Sequence, residues 1–163
     1  MSNAAKALGK TASKPCHVCG FYPEHVDGKP RSLPQHRRYF SMISAVFHHW
    51  PAAHGRQFAD REELRAWLQM KSGWREVAAQ IPIVGLPRER VKMIVEASIR
   101  AAGSYAEPVL HNDTLVIFRP KSIAFDKMRH LDFCALNDAV EDVIRSETGL
   151  DPEQVLQEHQ RAA

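Results

Sequence analysis

The chain has no apolar stretch approaching the roughly 18 residues needed to cross a bilayer. Its first residues, Met1 to Lys14, lack the apolar centre of a secretion signal. Both absences lead us to expect a cytoplasmic protein of a bacterial host cell, without a membrane partner. Cysteine is scarce: three in 163 residues, an odd count that suits no disulfide framework. There is no Gly-rich phosphate loop, no repeat at a fixed period, and no Ser-His-Asp arrangement with an oxyanion loop. An enzyme with a legible active site is therefore not expected.

What is present is a charge gradient. Residues 1–100 hold 16 Lys/Arg against 8 Asp/Glu, and the remaining 63 hold 6 against 11. No acid occurs from Gly28 through Ala59. Within that stretch lie Lys29, Arg31, Arg37, Arg38 and Arg56. Cations at a helix N-terminus oppose the helix dipole, so local stability does not explain them. An anion docked there would, because helix amides and guanidinium groups both bind phosphate. Tyr39 could add base stacking if exposed. The competing readings are a solvated basic face, and pairing with the acidic C-terminal helix through Asp138, Glu141 and Asp142.

Met1 to Lys14 reads as a disordered arm, and 15–30 as a loop carrying Cys16-His-Val-Cys19-Gly20. That motif resembles a zinc knuckle, in which Gly lets the turn close around the metal. Two further ligands are needed for a structural zinc, and His25 and His36 are the nearest candidates. A reduced, metal-free loop is the alternative. Cys134 lies in an apolar helical pattern and reads as a small buried hydrophobe.

Residues 31–163 read as one mostly helical α+β domain with a small antiparallel hairpin or sheet. The first helix is expected from Ser32 as N-cap to a stop at Pro51, with Phe40, Ile43, Phe47 and Trp50 as its apolar stripe, joined by Met42 and Val46. A second is expected over Asp60–Ser72, opened by Asp60 with Glu63 and closed by Gly73. A third is expected over Pro87–Ala102, with Val91, Ile94, Val95 and Ile99 inward. Pro108–His111 and Thr114–Phe118 flank Asn112-Asp113 as a hairpin. Ser122–Phe125 either extends the second strand or packs as its own. Two more helices follow, over Arg129–Thr148 and from Asp151. A hairpin alone is barely stable, so helices must cover it or a third strand must join it.

The blocks Arg31-Ser-Leu-Pro-Gln-His-Arg-Arg-Tyr-Phe40 and Phe118-Arg-Pro-Lys-Ser-Ile-Ala-Phe125 resemble motifs of a phage family, the domain of unknown function "thirteen sixty-seven". More distantly, the first block resembles the helix entrance of the NinB/Orf-type phage recombination proteins. The second resemblance implies an α+β homodimer that binds single-stranded DNA without catalysis, acting in recombination or replication. Arg31, Gln35, His36, Arg37 and Arg38 are the matching positions. Pro34, His36 and the Cys-bearing segment depart from that pattern.

Three functions follow as expectations. The first is a phage or prophage accessory protein whose partner is single-stranded DNA or a nucleic-acid-handling protein complex. Its contacts are Lys29, Arg31, Gln35, His36, Arg37, Arg38, Tyr39 and Arg56. The second is an anti-CRISPR-like inhibitor of a host defence complex, using the acidic run Asp132–Glu147. The third is a metal-dependent HNH-like nuclease, prompted by six histidines between positions 17 and 54 and by His111 on the hairpin. The apolar Ile81–Leu86 segment is a candidate homodimer contact.

Overall fold

The structure, a computed structural model, describes residues 33–103, 105–124 and 127–162. Their order is α1 (Leu33–His48), α2 (Arg61–Lys71), β1 (Arg75–Pro82), α3 (Arg88–Ala101), β2 (Glu107–His111), β3 (Thr114–Pro120), α4 (His130–Thr148) and α5 (Pro152–Ala162). This is the expected mostly helical α+β domain, with one strand more than the sequence showed. No helix among the described residues is long and apolar enough to cross a membrane.

Helices α1, α2, α4 and α5 build the core. Tyr39, Met42, Ile43 and Val46 of α1 meet Leu64, Trp67 and Leu68 of α2. Phe133, Leu136, Val140 and Ile144 of α4 and Val155 and Leu156 of α5 complete it. Each set repeats at three or four residues, so each helix buries one stripe. The α1 stripe is rotated from the expected one. Phe40, Phe47 and Trp50 are only half-buried at its margin, while Tyr39 lies at its centre. Met42, Ile43 and Val46 are buried as expected, so the stripe is shifted toward Tyr39 and not reversed.

Caps behave as the sequence suggests. Asp60 accepts from the Glu62 and Glu63 amides, both at 2.8 Å. The Glu63 carboxylate reaches back to the Ala59 amide at 2.8 Å. Gly149 ends α4 at φ 70°, a conformation costly for residues with a Cβ. The Glu63 amide, foremost, holds the Asp60 carboxyl below its ordinary range. A depressed folded pKa contributes stability above the unfolded value, lost as pH falls below about 4. Asp60→Asn keeps a good cap. We expect it to leave the neutral-pH Tm nearly unchanged and to flatten the acid limb, as melting curves at pH 3 and 7 would show.

The sheet order is β1-β3-β2, antiparallel throughout. The Asn112-Asp113 turn closes β2 onto β3, with Asn112 at φ 49°, which Asn tolerates better than most. β1 escaped sequence reading because a register shift between Val77 and Ala79 breaks the period-two alternation. It supplies the third strand that the hairpin needs. Residues 121–124 are irregular, so Ser122 and Ile123 do not extend β3.

One sheet face meets helix α2, and Leu115 there is fully buried. The other carries Arg75, Val77 and Gln80 of β1, Val116 and Phe118 of β3, and Val109 of β2. None of these is buried. Helix α3 flanks β2, but none of its residues is buried. Val91, Val95 and Ile99 are half-covered and Ile94 is 58% exposed, against the expectation that all four point inward.

Candidate nucleic-acid interface

The basic helix entrance does not assemble as the sequence suggested. Lys29 and Arg31 lie outside the described residues, as do Cys16, Cys19 and His25. Arg38 pairs with Glu153 of α5 and, at 3.7 Å, with Glu141 of α4. Glu141 also receives Arg145 at 2.9 Å, with its side chain 6% exposed. The Arg38 charge is thus consumed by the acidic helices and is not presented to a phosphate. Gln35 is buried, which removes it from a solvent-side contact.

Tyr39 is fully buried, edge-on to Phe40 and Phe133 with ring centroids 5.4 Å away in each case. It cannot stack on a base. Burial raises its hydroxyl pKa, and the hydroxyl has no hydrogen-bond partner among the described residues. Removing a buried unsatisfied hydroxyl relieves a penalty of about 1 kcal/mol or more. Tyr39→Phe is therefore expected to match or exceed the parent in chemical denaturation.

Arg37 is exposed. The Arg56 guanidinium lies 5.6 Å from the ring centroids of Phe58 and Trp67, capping an aromatic cluster that includes Trp50. Cation–π contact suits a structural Arg at an exposed edge. The acidic C-terminal run is also occupied internally. Glu147 binds Lys71 at 2.8 Å and His54 at 3.5 Å, and Lys71 is the main cause of its lowered pKa.

His36 packs its ring against Phe40, centroids 4.8 Å apart, and Phe133. Behind it, Gln35 bridges two side chains of α4. Its Oε1 lies 3.0 Å from His130 Nδ1, and its Nε2 donates to Cys134 Sγ at 3.2 Å. His130 Nε2 and Cys134 Sγ stand 3.6 Å apart. Cys134 is half-buried, less enclosed than a small core residue would be. Burial lowers the His130 pKa, which favours the neutral ring. Among the described residues, no group of three or more His, Cys, Asp or Glu is placed to hold a metal.

A cleft of about 880 Å³ lies between α2 and α3. Asp60, Glu63, Glu96 and Glu107 line it against Arg56 and Arg100. Net acid disfavours a phosphate backbone there.

The sheet face away from α2, which no described helix covers, has different chemistry. Arg75 places its guanidinium 4.2 Å from the Phe118 ring centroid. Val77 pairs with Phe118, and Val109 with Val116, which sets apolar side chains beside the aromatic. Gln80 opposite Val116 adds an exposed amide. Such a flat surface with an aromatic and a planar cation can take an unstacked base. Sequence reading missed Arg75, Val77 and Gln80 because it missed β1. The alternation of Thr114 to Phe118 was the one usable signal, since it sets Val116 and Phe118 on a common face.

Comparison with family models, with curated proteins and with solved structures finds no match to this chain.

Proposed function

We propose that this is a non-catalytic binding protein for single-stranded nucleic acid, the accessory role in recombination or replication that the phage resemblance implies. The observation that supports it is Phe118 beneath the Arg75 guanidinium on a sheet face without a buried residue. The contact surface is that face, in place of the α1 entrance. Bases stack on Phe118 and Arg75, and phosphates are neutralised at the margin. Fluorescence anisotropy with a labelled single-stranded oligonucleotide tests it. Phe118→Ala should weaken binding by about 1–3 kcal/mol, the usual worth of one base–aromatic stack. Arg75→Ala should also weaken it and lower the slope of log K against log salt by about 1. Unchanged binding in both variants, or no binding by the parent, would overturn the proposal.

A protein-directed role is the second reading, and one observation favours it. Leu86, Met93 and Ile94 lie 52%, 64% and 58% exposed, with Ala97 on the same side of α3. Exposed apolar stripes mark protein contacts. A pull-down from nuclease-treated host lysate separates the two. Retention of one stoichiometric protein favours this reading, and loss of every partner favours nucleic acid.

A further inference from the structure

Helix α3 is short of cover. An isolated helix of 14 residues is marginal in water, and helices in proteins hold mainly through packing. Yet α3 buries none of its residues. Among the described elements β2 is its main neighbour, and Val91, Val95 and Ile99 make the half-covered stripe on that side. The other side carries a second stripe, Arg90, Met93, Ile94, Ala97 and Ala101, at the spacing of helical neighbours. All five are exposed, as is Leu86 just before the helix.

The order of residues along this stripe identifies its occupant. Leu86, Arg90 and Met93 make the first half bulky, and Ala97 and Ala101 make the second half low. Turned end for end, a copy of the stripe therefore fits the original, large against small. The rim agrees. Glu89 and Arg100 are eleven residues apart, about three turns and about 16 Å, so both stand on one flank of the stripe. Both are exposed, and neither forms an ion pair with a described residue. In an antiparallel pair whose two-fold axis passes level with Ile94 and Val95, each Glu89 comes level with the partner's Arg100. Met93 then lies near the partner's Ala97, and the Arg90 stem lies between the partner's Ala97 and the partner's Ala101. A parallel pair would set like charges together and align the two helix dipoles unfavourably.

We propose that α3 is the contact of a two-fold, antiparallel homodimer. Met93 and Ile94 of both copies form its apolar centre, and two Glu89–Arg100 pairs close its rim. One helix face per copy is smaller than the roughly 800 Å² per partner of a standard interface. The dimer is therefore weak, with a Kd on the order of micromolar. It is independent of nucleic-acid binding: Arg75 lies on β1, the edge of the sheet opposite to β2, the main neighbour of α3.

Sedimentation equilibrium of the full chain without oligonucleotide, from about 1 to about 100 µM, tests it. The mass should rise with concentration from one chain to two. Ile94→Glu brings two carboxylates together at the axis and should leave a monomer throughout. Glu89→Arg and Arg100→Glu should each raise Kd about 10-fold, and the double variant should return to the parent's value. That recovery separates facing charges from mere loss of apolar area. The substituted residues are exposed, so the fold should survive each change. The parent alone gives a second readout, because its Met93 and Ile94 methyl signals should shift with protein concentration. A parent that is monomeric at about 100 µM, a dimer that withstands Ile94→Glu, or a double variant weaker than either single one would overturn the proposal. So would a monomeric parent whose α3 stripe retains a host protein.

Discussion

Glu141→Leu is expected to destabilise the fold by about 3 kcal/mol, and Arg38→Met added to it should restore much of the loss. The Glu141 carboxylate is almost enclosed and receives both Arg38 and Arg145. Its removal leaves Arg38 Nη1, a buried nitrogen without a hydrogen bond, facing an apolar side chain. Arg38 would keep only its contact to the half-exposed Glu153. Breaking a buried pair costs more than the pair contributes, because the surviving charge stays desolvated. The double variant removes both charges, so it isolates that penalty. Urea denaturation of the three variants checks it. If Glu141→Leu proves neutral, Arg38 is free to turn outward, and the basic entrance of α1 returns as a docking surface.

Leu136→Ala and Leu131→Ala should differ by about 3 kcal/mol although both truncate a leucine on α4. Leu136 is fully buried among residues of α1, α2 and α5, so truncation loses transfer energy and leaves a cavity. Leu131 is 38% exposed, and its loss should stay within about 0.5 kcal/mol. At about 2–4 °C per kcal/mol for a chain of this size, the two melting temperatures should lie about 10 °C apart. Equal shifts would mean that α4 is rotated from the described packing.

These two predictions also show where sequence reading stops. Helix limits were legible because local chemistry sets them: Asp60 and Asp151 cap, Gly73 and Gly149 terminate, and Pro51 blocks. The hairpin was legible from alternation about Asn112-Asp113. The missing strand was not, since the bulge in Arg75–Pro82 cancels the periodic signal. Which side of α1 is buried could not be read either. Tyr39 and Phe40 are neighbours of similar size, and the choice between them is made by Phe133, 94 residues distant from Tyr39 in sequence. The same long-range packing brings Glu141 and Glu153 to Arg38 and so removes a candidate phosphate contact.

Amide chemical-shift mapping with a single-stranded oligonucleotide tests the placement of the contact surface most directly. Saturating oligonucleotide should move the signals of Arg75 to Gln80, Val109 and Val116 to Phe118 together, with one apparent affinity that falls as salt is raised. Shifts confined to the first turns of α1, or none anywhere at saturation, would contradict a base-stacking sheet.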